Sequence, residues 1–312
     1  MTSKTGFVYS PYYLKHDTGH HPESPKRLQA IIDILKETSL YNKLIHLDPY
    51  KATEQEISLI HDADYAKEVW KKCTQNIRNI DMDTVICEES YNVALVAVGG
   101  VLRAVDAIVN GEVKNVFCAI RPPGHHAEIA QGMGFCLFNN IAIGARYAQN
   151  KYKIKKILII DWDAHHGNGT QHIFYDDPSV LYFSIHQFPH YPGTGRKEET
   201  GSGKGKGFTI NIPVKSGINE EDFIKYFSDG LLPEAEKFKP DLIMISAGFD
   251  SHKEDFLAQL PVTESGYVKM TEIVKKLADK TCSGKIISVL EGGYNLKALA
   301  RSVCVHIESL TK

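Results

Sequence analysis

The chain has 312 residues, enough for one large α/β domain or two small ones. Its formal charge of −2 lacks the basic footprint of a nucleic-acid binder and implies no acidic partner. It holds no run of about 18 apolar residues, and Met1 to Gly6 lack the apolar core of a signal peptide, so neither a membrane span nor export is expected. In chain order, Ser24-Pro25 reads as the N-cap and first-turn proline of a helix. Thr53-Glu54-Gln55-Glu56 has the form of a capping box. A long helical pattern runs from about Ser90 to Asn110 and stops at Gly111. Strand-like apolar runs follow at Val116 to Ile120, Ile157 to Ile160, Val180 to Ile185, Phe208 to Val214, Leu242 to Ser246 and Ile286 to Leu290. Helical patterns lie between several of them, one opening after Asn219. Strands alternating with helices predict an α/β fold whose mostly parallel sheet is covered on both faces. No linker or repeat divides the chain, so residues 1–312 are expected to form a single domain.

The unusual polar residues fall where these strands end. Arg121-Pro122-Pro123-Gly124-His125-His126-Ala127 follows the first run, and Asp161-Trp162-Asp163-Ala164-His165-His166-Gly167-Asn168-Gly169 follows the second. His186 and then Tyr191-Pro192-Gly193 follow the third, Gly248-Phe249-Asp250 the fifth, and Glu291-Gly292-Gly293-Tyr294 the sixth. In parallel sheets ligands bind beyond the carboxyl ends of the strands, so these groups are expected at one edge of one sheet.

Alternation along an extended backbone sends Asp161, Asp163 and His165 to the same side. A solvated, capping strand end is the plain alternative for such residues. Two carboxylates and an imidazole from Asp163, His165 and Asp250 would leave room for a water and a substrate oxygen on one metal ion. Zn²⁺ suits these donors, and Fe²⁺, Co²⁺ and Mn²⁺ accept them too. His125 and His126, held by a Pro-Pro-Gly turn, would supply proton transfer. Tyr294 would donate its hydroxyl to an oxyanion, unless it is a buried tyrosine that closes the strand. The six cysteines lack C-x-x-C spacing, which points to reduced thiols in a cytoplasmic protein. Cys136 draws notice among them because it sits beside Gly132-Met133-Gly134-Phe135. Gly201 to Gly207 lacks the Ser/Thr of a phosphate loop and precedes a strand, so it reads as a flexible surface loop.

Together R-P-P-G-H-H-A, D-W-D-x-H-H-G-N-G-T, A-G-F-D and E-G-G-Y-N-L resemble the histone deacetylase superfamily, which also holds the acetylpolyamine amidohydrolases. The resemblance runs from His20-His21-Pro22-Glu23-Ser24-Pro25-Lys26-Arg27 to Leu296 and is similar to class II, with Asn168 and Glu291 as its marks. It implies the arginase/deacetylase fold, a mostly parallel sheet of about eight strands flanked by helices. It implies Zn²⁺ on Asp163, His165 and Asp250, and a structural K⁺ held by Asp161, Asp163, His165, Ser184 and Ile185, largely through main-chain carbonyls. It pairs His125 with Asp161 and His126 with Asn168, so His125 would be charged and His126 the neutral general base. Gly134, Phe135, Tyr191, Leu257 and Gly293 would line an acyl-lysine tunnel, with His190 replacing a frequent aromatic at the rim.

The activity implied is metal-dependent hydrolysis of the acetyl amide on a lysine side chain in a peptide or protein, or on a small acetylated amine. Members specialised for polyamines place a glutamate at the tunnel mouth or carry a long insertion. Here Leu257 stands at that position and the Trp70 to Ser90 segment is short, which favours acetyl-lysine. An inert acyl-lysine binder is disfavoured because Tyr294 and both histidines are intact. A ureohydrolase would need a two-metal Asp/His pattern that is absent.

Overall fold

The structure, a computed structural model, describes residues 4–312; Met1 to Ser3, part of the stretch read for a signal peptide, lie outside the described residues. The strands are β1 (Thr5–Val8), β2 (Ile45–Leu47), β3 (Asn115–Cys118), β4 (Ile157–Asp161), β5 (Val180–Gln187), β6 (Thr209–Val214), β7 (Leu242–Ala247) and β8 (Ile286–Leu290). They form one 8-stranded sheet in the order β2-β1-β3-β8-β7-β4-β5-β6, and every pairing is parallel. All six apolar runs are strands. The two that the apolar pattern does not reveal, β1 and β2, are four and three residues long, too short for a period to show.

The helices are α1 (Lys26–Glu37), α2 (Glu54–Ile57), α3 (Ala63–Thr74), α4 (Ser90–Val109), α5 (Asn140–Tyr152), α6 (Asn168–Ile173), α7 (Glu220–Phe238), α8 (Glu264–Cys282) and α9 (Leu296–Thr311). α4 and α5 pack together on the sheet, while α1, α9, α8 and α7 form a second row with neighbour touching neighbour. β4, β5, β7 and β8 are buried along their whole length, as strands covered on both faces must be. By length and composition α4 could cross a membrane, despite Arg103 and Asp106 within it. Its apolar residues are instead buried against α5, β1, β3 and β8 as a core helix.

Local signals explain several boundaries. Thr53 and Glu56 exchange reciprocal hydrogen bonds at the start of α2, and the Asn219 side chain accepts from the Asp222 N–H to open α7. α1 begins one residue later than expected: Pro25 takes the cap position and no side chain caps the helix. The Gly201 to Gly207 segment is a pinned turn. Ser202 N–H donates to Tyr175 O (2.7 Å), Gly207 N–H to Thr200 O (2.6 Å), and Gly205 is buried.

The strand order places the site. After β3 the chain crosses to β4, and β7 and β8 later fill the positions between them. The exits of β3, β8, β7, β4 and β5 therefore lie side by side on one edge, at the kind of switch point where open α/β sheets bind ligands.

Candidate active site

β4 carries the centre of the site. Beyond Asp161 the chain turns so that His165 Nδ1 lies 3.1 Å from Asp163 Oδ1 and 2.9 Å from Asp250 Oδ2, the last delivered by the β7 exit. One donor atom from each of Asp163, His165 and Asp250 lies within 4.8 Å of the others, and all three residues are buried. Main-chain N–H groups hold the carboxylates in place: Ala164 N–H donates to Asp250 Oδ1 (2.8 Å), and Gly292 N–H to Asp163 Oδ2 (2.8 Å). A Cβ on Gly292 would stand 2.3 Å from Asp250 Oδ2, so only glycine lets the β8 exit come this close. Burial and the nearby Asp163 push the Asp250 carboxyl up to about 7. Burial disfavours charge on His165, but hydrogen bonds to Asp163 and Asp250 lift the imidazole well above its ordinary range. Such a pocket of anionic oxygens favours a cation.

The β3 exit supplies the histidine pair, with ring centroids 4.0 Å apart. His125 Nδ1–H donates to Asp161 Oδ2 (3.0 Å), which also accepts from the Tyr182 hydroxyl (3.1 Å). Burial opposes a charge on His125, yet Asp161 and Asp163 outweigh it and raise the imidazole to about 10. His126 Nδ1 lies 2.8 Å from Asn168 Oδ1. Asn168 Nδ2–H donates to Glu128 Oε1 (2.6 Å), so its oxygen faces His126, whose Nδ1 must therefore carry the proton. That leaves the Nε2 lone pair of His126 unprotonated. Burial, then the positive charges of His125 and His165, hold His126 well below the usual histidine range.

A cavity of about 200 Å³ leads to these groups. His126, His165 and Tyr294 line it together with Gly134, Phe135, Tyr191, Leu257, His190 and Asp83. A Cβ on Gly134 would stand 2.4 Å from His126 Cδ2, and Gly134 has φ of +56°, so the loop needs glycine there. The Phe135 ring meets Tyr294 edge-on at 5.7 Å. His190 lies over His165 at 5.0 Å and donates from Nε2 to Leu257 O (2.8 Å). Gly293, expected in the tunnel, is not among the lining residues. It lies behind Tyr294, where its carbonyl accepts from Arg27 Nε (2.7 Å) and a Cβ would face Leu299 and Phe249. Cys136 is fully buried, and burial raises its thiol well above the usual range, so it is an inert core residue. Ser184 pairs in register with Asp161, and its hydroxyl is engaged by His186 Nδ1 (2.8 Å).

Several site residues have no local signal in the sequence. Arg27, fully buried, donates to the carbonyls of Gly293 and Glu291 and lies 5.1 Å over the Tyr294 ring. Asp255 Oδ2 accepts from the N–H groups of Tyr294 (2.7 Å) and Asn295 (3.0 Å). Glu23 holds Arg121 through two bonds of 2.6 and 2.7 Å beneath the β3 exit. Asp83 reaches the cavity from the loop before α4. Arg27 and Glu23 belong to the His20 to Arg27 stretch where the family resemblance begins, but their partners lie up to 266 residues away.

The chain matches the histone deacetylase domain family over residues 21–310. It is 41% identical to a probable deacetylase of Archaeoglobus fulgidus, over 94% of this chain and 82% of that protein. It is 38% identical to polyamine deacetylase HDAC10 of Mus musculus, over 92% of this chain but 44% of that protein. It is 40% identical to histone deacetylase 15 of Arabidopsis thaliana, over 93% of this chain and 52% of that protein, so it spans about half the length of these two eukaryotic relatives. The crystal structure of the HDA15 HD domain superposes with a TM-score of 0.93 at 37% identity, covering 99% of this chain and 88% of that one. With a superposition over 99% of its length and a family match over residues 21–310, the chain belongs to the histone deacetylase family.

Proposed function

We propose that the protein is a zinc-dependent deacetylase that hydrolyses the acetyl amide of lysine side chains in peptides or proteins. One observation carries this reading. A buried three-donor cluster presents His165 to one cavity that is also lined by His126, with its free Nε2, by Tyr294 and by the rings of Phe135 and Tyr191. The donor set fits zinc: ligands at 2.0–2.1 Å in a tetrahedron stand about 3.3 Å apart, near the 2.9 and 3.1 Å separations at His165 Nδ1. When bound, zinc lowers the pKa of a water toward about 7 and polarises the acyl carbonyl.

The chain's own groups do the rest. His126 Nε2 takes the proton of the attacking water. His125, kept cationic by Asp161, sets positive charge beside the reacting carbonyl and is the proton source for the leaving amine. Tyr294 donates its hydroxyl to the developing oxyanion, while Phe135 and Tyr191 enclose the aliphatic stem of the lysine and exclude water. Potassium is assigned to Asp161, Ser184 and Ile185 beside the zinc. Their adjacent strands, paired at Asp161 and Ser184, bring the segments together.

His126→Ala is expected to keep its zinc and lose kcat by about 10² or more, the usual contribution of a general base. Metal analysis beside steady-state kinetics checks this, and near-normal kcat would assign the water's proton to another group.

A second reading, hydrolysis of acetylpolyamines, has one observation in its favour. Asp83 places a carboxylate in the cavity wall, suited to a second ammonium group, and a relative is a polyamine deacetylase. The uncharged Leu257 at the rim argues for acetyl-lysine. Acetate release from an acetyl-lysine peptide and from N-acetylputrescine separates them. A higher kcat/KM on the peptide is expected, and a preference for N-acetylputrescine would reverse the assignment.

A further inference from the structure

Glu291 is a fully buried carboxylate that takes no part in the chemistry set out above. It is the first residue after β8, whose neighbours are β3 and β7. Burying a carboxylate is costly unless its oxygens find donors, and the donors it finds here lie on two other segments, the loop after β3 and strand β7. Oε2 accepts the main-chain N–H groups of Gly124 (2.7 Å) and His125 (3.2 Å), and the Ser246 hydroxyl stands 3.4 Å from Oε1. The two bonds to Oε2 reach across to the β3 exit, at the point where the histidine pair begins, and the third is to β7.

The main chain of Glu291 is anchored as firmly. Its N–H donates to Ala247 O (3.1 Å), its carbonyl accepts from Arg27, and the next N–H, of Gly292, donates to Asp163. Three residues further on stands Tyr294. The far side of the β3 loop is closed by tight packing: a Cβ on Gly124 would stand 2.6 Å from Asn140 N, and Asn140 Nδ2–H donates to Pro122 O (3.1 Å). α5 therefore backs the loop on one side, and Glu291 is its tie to the β8 exit on the other. The carboxylate faces main-chain amides and is not among the residues lining the cavity, so it has no route to substrate.

We propose that Glu291 is a positioning residue, whose side chain registers the His125–His126 loop against the turn that carries Tyr294. This rests on the reading that those groups perform the hydrolysis. Misplacing a reacting group by about 1 Å costs on the order of 10² in rate; the charge of Glu291 supports the His125 imidazolium less than Asp161 and Asp163 do, so reach is the property assigned to Glu291.

Two variants of the zinc-loaded protein separate the two properties. Glu291→Gln keeps the length and one oxygen for both N–H donors, with its NH₂ turned to the Ser246 hydroxyl. Glu291→Asp keeps the charge and is one methylene too short. Glu291→Asp is expected to lose kcat by about tenfold or more with KM within about twofold, and Glu291→Gln to stay within about threefold of wild type. Amide hydrogen exchange at Gly124 and His125 should quicken in Glu291→Asp and stay slow in Glu291→Gln. Wild-type kcat in Glu291→Asp, equal impairment of both variants, or unchanged exchange in Glu291→Asp would overturn the proposal. The exchange measurement needs no turnover, so it tests the clamp even if the wild type proves inactive on acetyl-lysine.

Discussion

Asp250→Ala is expected to lose its bound zinc and its deacetylase activity together, with turnover falling by about 10³ or more. Two carboxylates and one imidazole leave a metal no spare protein ligand, and removing one of three leaves a two-donor remnant. Asp250 is also the donor that comes from β7, so its loss opens the cluster toward the strand beside β4. The loss should not be mistaken for unfolding. Without metal, burial and Asp163 already push the Asp250 carboxyl up to about 7, so removing it relieves a strained pair of acids. The cost is the acceptor that Ala164 N–H loses, about 1–3 kcal/mol, together with one of the two carboxylate partners of His165, which keeps Asp163. Asp250→Asn, which keeps the shape and an oxygen for that N–H, is the control. Elemental analysis and circular dichroism should show both variants folded and zinc-poor. Full zinc occupancy with normal turnover in Asp250→Ala would remove Asp250 from the metal site.

Tyr294→Phe is expected to lower kcat by roughly 10² to 10³ with little change in KM, the loss typical of one oxyanion donor. As the carbonyl becomes tetrahedral its oxygen gains charge, and a hydroxyl aimed there is worth more in the transition state than in the ground state. The ring is already held by edge contact with Phe135, by Arg27 above it and by Asp255 on its main chain. Removing the oxygen alone should therefore leave the turn where it is. Equal turnover of Tyr294→Phe and wild type on an acetyl-lysine peptide would contradict the role. A trifluoroacetyl-lysine substrate would not discriminate, because its activated carbonyl needs less help.

The placement of Asp250 and Tyr294 was legible because each follows a long apolar run, and a parallel sheet gathers such exits at one edge. β4, β5, β7 and β8 announce themselves by unbroken burial-prone sequence, and the caps at Thr53 and Asn219 by local chemistry. Where the sequence fell short, the cause is distance along the chain. β1 pairs on the edge of β3 and β2 on the edge of β1, so four and three residues suffice without a pattern of their own. Gly293 was expected in the tunnel, yet Arg27, 266 residues earlier, draws its carbonyl inward. Asp255 looks like an ordinary acid in sequence, and Glu291 stands out as a mark of the family resemblance, with no contact to suggest what it holds. Their work appears only when the Tyr294 turn and the histidine loop come within hydrogen-bond reach. Cys136 drew notice for its glycine neighbours, but Gly134 serves the close approach to His126 and Gly132 a close approach to Tyr65, while the thiol is packed away.

The most direct test of a single zinc at Asp163, His165 and Asp250 driving acetyl-lysine hydrolysis is acetate release by metal-stripped protein as zinc is returned. Activity on an acetyl-lysine peptide should rise from background and level off at about one equivalent of zinc per chain, as a one-metal catalytic site requires. Acetate release by the stripped protein at the full rate, or none at any zinc level, would contradict the account.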